Sequence, residues 1–190
     1  MKIRIGFFAL FMFFALLISN SYISLMSILA AACHEAGHII AARLLGIGFY
    51  EMRLGIFGAQ LRTGRICGYR EELLLAAAGP LANFLSLPAA FFLLRFFPSA
   101  TDYINLFILS SVALGIMNLL PVRSLDGGRI FICLFSSKSP GTVEKVLSFL
   151  SFLSIFTLWC ISLYLLLRFS TSLSLFIFSL SLFAKIFIDV

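Results

Sequence analysis

The sequence predicts an all-α polytopic membrane protein of about six transmembrane helices, with a short β-strand pair between the second and third helices. Three observations predict this. The chain of 190 residues is 62% hydrophobic, with a mean hydropathy of +1.11. Only 12% of its residues are charged, against about 25% in an ordinary soluble domain. Apolar runs of spanning length alternate with short polar connections. A soluble fold of this length has too little interior to hide so much apolar surface, so the bilayer must act as solvent. One integral-membrane domain over residues 1-190 is the expected organisation.

Crossing about 30 Å of hydrocarbon takes roughly 20 apolar residues. On that ruler the spans run from about Ile5 to Ser19, Tyr22 to Leu45, Leu73 to Phe97, Ile104 to Leu120, Val146 to Arg168 and Ser172 to Ile188. The first begins like a signal peptide, but no small-x-small cleavage site follows and a second apolar run does, so it is read as a retained helix. Residues Pro98 to Asp102 separate the third span from the fourth. "PVRSLDGGR" ends the fourth, because proline and paired glycines interrupt a helix. Between the second and third spans, glycine-studded alternation predicts strands at Phe49 to Leu54 and Gly58 to Thr63, with a turn near Gly55.

The net charge of +6 is read as a topology signal and not as a nucleic-acid surface, since its arginines and lysines lie scattered in short connections. With the amino terminus in the cytoplasm, twelve of the fourteen basic residues fall on the cytoplasmic side. Only Arg95 and Arg168 fall opposite, so both termini are expected to be cytoplasmic. The four cysteines show no paired spacing, which argues against a disulfide framework. The 23 phenylalanines are expected to face lipid and neighbouring helices.

Against this apolar background, "AACHEAGHIIAARLL" places two histidines and a glutamate inside the second span. His34 and His38 stand at i and i+4, on one helix face, where both imidazoles reach a single metal ion. Glu35, about 100° further round, can act on a water beside the metal as general base. The chain has only two histidines and both fall in this motif. The competing reading is interhelical hydrogen bonding, with Glu35 paired to an arginine. Ionisable groups inside a span are costly and more often functional.

A catalytic zinc usually takes three protein ligands and keeps a fourth position open. No third histidine exists, and Cys33 projects about 100° away from His34. Among the carboxylates, Asp126 stands out because Gly127 and Gly128 after it let the backbone turn and approach closely. The alternative is an aspartate capping a helix-ending turn. On the charge-derived topology His34, His38 and Asp126 all come out at similar depth. In "AAAGPLANF", small residues suit close helix approach, Pro80 should break or kink the third span, and Asn83 places an amide in lipid. Asn83 is open to three readings: a packing notch, a polar contact to a substrate backbone, or support from behind the metal ligands.

HEAGH (34 to 38), AGPLANF (78 to 84) and NLLPVRSLDGGR (118 to 129), in that order, resemble the site-2 protease family of intramembrane zinc metalloproteases. The resemblance spans roughly residues 22-130 as a catalytic core, leaving 146-190 as two accessory spans. It implies that His34, His38 and Asp126 bind Zn2+, that Glu35 activates water, and that Asn118 helps hold the substrate or its oxyanion. It implies a membrane-embedded or membrane-tethered protein substrate, and membrane inhibitor proteins as further partners. The likeness is to the compact sporulation-type branch, which processes a membrane-tethered pro-sigma factor; an anti-sigma factor is a second substrate of that kind. A bacterial cytoplasmic membrane is the implied location, with the active site toward the cytoplasm. Two departures stand out: no PDZ-like or CBS-like domain is recognised, and Arg123-Ser124 replaces prolines that relatives often carry before LDGG. The rival class is a non-catalytic zinc-binding carrier or scaffold. It fits less well, because intramembrane charge is concentrated at one depth and a pure binder has no need of Glu35.

Overall fold

The computed structural model describes residues 2–5, 22–47, 49–55, 58–63, 67–135 and 140–169. These are mostly helical, and four helices are long and apolar enough to cross a membrane. They correspond to the second to fifth spans read from the sequence. The first and sixth of those spans lie outside the described residues, apart from Ile5. The chain divides into two compact units, Met1–Leu119 and Leu120–Val190.

In the first unit, α1 (Tyr22–Leu44), α2 (Tyr69–Phe96) and α3 (Thr101–Leu119) pack against one another. Their burial is inverted relative to a soluble bundle. Helix α1 buries Ala30, His34, Gly37, His38 and Ala42 along one stripe, while Leu25, Leu29, Ile40 and Leu44 are exposed. Lipid is as apolar as leucine, so large side chains gain little by leaving it. Small residues gain by letting backbones come together. A Cβ added at Gly37 would collide with the Ala78 carbonyl and with the Ala82 methyl, and one at Gly115 would lie 2.9 Å from Phe84 Cζ. The α1–α3 contact adds a Ser27–Ser110 hydroxyl pair at 3.2 Å.

Helix α2 decides one half of the expectation that Pro80 breaks or kinks the span. Pro80 does not break the span, which runs unbroken through both Pro80 and Pro88. Each proline removes one rung of the hydrogen-bond ladder, a loss that packed neighbouring helices accommodate. The helix ends at Phe96, where a single 3-10 turn over Pro98–Ala100 leads into α3.

Three short extended segments also lie in this unit: β1 (Lys2–Ile5), β2 (Phe49–Gly55) and β3 (Gly58–Thr63). Their order is β1-β2-β3. Strand β1 runs parallel to β2, with Ile3 opposite Met52, while β2 and β3 are antiparallel, with Gly55 opposite Gly58. The sequence had assigned Ile5 to the first span; here it ends a strand.

The second unit holds α4 (Asp126–Phe135) and α5 (Pro140–Phe169), which pack together. Helix α5 buries Val143, Leu147, Ser151 and Ile155, every fourth residue, so a single face is turned inward. Helix α4 is a second correction. The sequence reading treated the paired glycines as a turn that ends a helix, yet they form the first turn of a new one. Neither glycine adopts a positive φ. Gly128 is needed for space, since a Cβ there would strike the Val122 carbonyl. All four cysteines are free.

Candidate metal centre

In the first unit, a helix without interruption from Tyr22 to Leu44 carries His34 and His38 one turn apart and buries both. Their Nε2 atoms stand 3.2 Å from each other, with the rings nearly perpendicular at 83°. Two ligands at about 2.05 Å from a tetrahedral zinc lie roughly 3.3 Å apart, so the spacing matches one edge of such a site. His38 is also set in its tautomer. Its Nδ1 lies 2.8 Å from the Leu75 carbonyl oxygen, which can only accept. Nδ1 therefore carries the proton and Nε2 presents its lone pair toward His34.

Helix α2 supplies the wall behind the pair. Leu75, Gly79 and Asn83 follow one another at four-residue steps along its buried face. Leu75 gives its carbonyl to His38, and Asn83 Nδ2 stands 3.3 Å from His34 Nδ1. Gly79 lies between them, where an added Cβ would meet His38 Nε2 and come within 2.7 Å of His34 Nε2. Sequence reasoning missed Gly79 and the Leu75 carbonyl. The four-residue spacing back from Asn83 was the available signal. The donor atoms therefore have an open cradle that any side chain larger than hydrogen would fill.

Glu35 is half-buried on α1, one residue beyond His34. Asn118, near the end of α3, is half-buried and donates its Nδ2 to the Leu114 carbonyl at 3.1 Å. That bond turns its amide back along its own helix and uses one of two N–H groups.

In the second unit, Asp126 is buried at the start of α4, with Arg129 Nη1 3.8 Å from Oδ1. The segment before it is a chain of tight turns, with Leu125 N donating to Val122 O at 2.9 Å and Val122 N to Leu120 O at 2.7 Å. A buried hydroxyl on α5 holds these turns in place. Ser151 Oγ donates to the Pro121 carbonyl at 3.1 Å and accepts from Arg123 N at 3.1 Å. Arg123 thus contributes its backbone here, while its side chain makes an exposed 3.3 Å ion pair with Glu144. His34 and His38 in the first unit and Asp126 in the second are each buried, and each offers a donor atom of a kind that binds metal. Two imidazoles and a carboxylate fit zinc in a catalytic setting.

Residues 97–158 match the sequence family described as Peptidase family M50. The chain is 41% identical over 96 residues to the "Probable zinc metalloprotease EGY2, chloroplastic" of Arabidopsis thaliana, which covers 47% of this chain and 17% of that one. It is 39% identical over 100 residues to the protein of the same description from Oryza sativa subsp. indica, covering 49% and 18% respectively. The chain thus spans less than a fifth of the length of these curated relatives. Its fold is shared with the "Site-2 Protease from Methanocaldococcus jannaschii", at a TM-score of 0.66 and 22% identity, over 98% of this chain and 90% of that one.

Proposed function

We propose that the chain is an intramembrane zinc metalloprotease related to the site-2 proteases of peptidase family M50. Its substrate is a membrane-tethered protein, cut in or near a transmembrane segment. The observation that carries this reading is the buried His34–His38 pair, its Nε2 atoms 3.2 Å apart, in a predominantly apolar helix of spanning length.

His34, His38 and Asp126 are the residues that would hold the zinc ion, as the resemblance to the site-2 proteases implies. When bound, zinc supplies Lewis acidity and makes a water acidic near neutral pH, where free water has a pKa of about 15.7. Glu35 would act as general base, taking a proton from the attacking water and returning it to the leaving amine. The second N–H of Asn118 donates to the oxyanion that develops on the scissile carbonyl. A helical substrate hides its peptide bonds, so it must unwind first, and the β2–β3 pair supports this step. The edge of β3 offers backbone groups to which an extended segment can add as a further strand.

The finer reading is one membrane domain of six spans, with residues 22-130 as core and 146-190 as accessory helices. Both termini and the active site lie toward the cytoplasm of a bacterial cell, as the distribution of basic residues supports. A pro-sigma or anti-sigma factor is the substrate class that the resemblance to the sporulation-type branch favours. Co-expression with a tethered reporter of that class tests the proposal. Wild type should release the reporter, and Glu35→Gln should slow release by about 10²–10⁴-fold while retaining zinc. Equal release by the two would remove Glu35 as the base.

A further inference from the structure

Asn83 is fully buried, and its Oδ1 has no hydrogen-bond partner. An orphaned amide oxygen in lipid-embedded protein costs on the order of 1–3 kcal/mol. At its other end, Nδ2 stands 3.3 Å from His34 Nδ1. With the amide in this orientation the polar groups form a chain. Asn83 donates to His34 Nδ1, which places the His34 proton on Nε2. That proton points at the lone pair of His38 Nε2, 3.2 Å away, and His38 Nδ1 donates to the Leu75 carbonyl at 2.8 Å. The chain is self-consistent without metal, but it leaves His34 in the tautomer that cannot ligate through Nε2.

We propose that Asn83 is a positioning residue for His34, whose amide turns over when metal enters. Rotation by about 180° brings Oδ1 to where Nδ2 now stands, so that it accepts a proton from His34 Nδ1 and both Nε2 lone pairs face the ion. One end of the amide is partnered in either orientation, so the turnover adds no further orphaned group. A carboxylate in this place would hold the metal-ready tautomer permanently; an amide serves both states. This inference rests on the zinc reading above and assigns Asn83 to the ligand His34 and not to the substrate.

The test is zinc affinity of the purified, detergent-solubilised chain, measured by chelator competition, with no substrate present. Asn83→Leu, which keeps the volume and loses the acceptor, should bind zinc about 10–100-fold more weakly. Asn83→Asp, which can accept from Nδ1–H but cannot donate, should bind as tightly as wild type or more tightly. Helical content by circular dichroism identifies any variant that has not folded. Should the leucine variant fail to fold, the aspartate variant still decides, because a side chain that can only accept must keep zinc if acceptance from Nδ1–H is what Asn83 supplies. A leucine variant equal to wild type, or an aspartate variant that loses zinc, overturns the assignment. A wild-type protein that takes up no zinc overturns the metal reading itself, which keeps the two failures distinct.

Discussion

The imidazole pair and the aspartate are held by opposite means. His34 and His38 sit in the middle of a long regular helix, and the α-helical repeat alone aligns them. Asp126 opens a ten-residue helix after a run of turns, and its setting depends on a serine 25 positions later in the chain. A side chain carried by a helix inherits that helix's stiffness. One carried by a turn must be braced from outside. The difference teaches that small residues around the histidines protect space, whereas the contacts around Asp126 protect backbone position.

Ligand removal tests the comparison at its strongest. His34→Ala or His38→Ala should bring zinc retention to near background by elemental analysis, and Asp126→Ala should lower it as well. Unchanged zinc in the aspartate variant would detach the turn-borne residue from the metal. Glycine replacement comes next, since overpacking costs about 1–3 kcal/mol. Gly79→Ala pushes a methyl against both imidazoles, so zinc affinity should fall by at least tenfold with little change in thermal midpoint. Gly128→Ala meets the Val122 carbonyl, a backbone atom that cannot swing away, so its thermal midpoint should fall together with activity. If both variants lose stability alike, the distinction between protected space and protected backbone fails.

Ser151→Ala should have a smaller effect. It removes one donor and one acceptor from the turns before Asp126, worth about 0.5–1.5 kcal/mol for each bond. A several-fold loss of cleavage, with helical content kept, is expected; full activity would show that the turns stand without the brace. Smallest of all is Arg123→Ala. Its ion pair with Glu144 is more than half exposed on both sides, and such pairs contribute about 0–1 kcal/mol. Activity and thermal midpoint should stay within error of wild type.

Much of the centre was legible in advance, for reasons that differ by residue. His34, Glu35 and His38 could be read because a helix turns local spacing into a shared face. Asp126 was singled out among few carboxylates by the glycines after it, yet the helix it starts was not foreseen. Glycine pairs usually mark turns, and only the closeness of the Val122 carbonyl reveals why Gly128 sits inside a helix. Whether Pro80 breaks the span was not legible either, for a related reason. Its cost is set by whether neighbours make good the lost rung, and sequence carries no record of neighbours. Ser151 had no signal at all, being one serine among several in an apolar helix.

Composition and local spacing by themselves determined that this chain lives in a membrane and lines two imidazoles along one helix, because hydropathy and the helical repeat need no distant partner. Tertiary structure decided what those imidazoles face. The Leu75 carbonyl, the bare Cα of Gly79 and the Asn83 amide reach them across a helix–helix contact, and the tautomer of His38 depends on a group 37 residues away. Long-range contacts of that kind follow from packing, which no local pattern encodes.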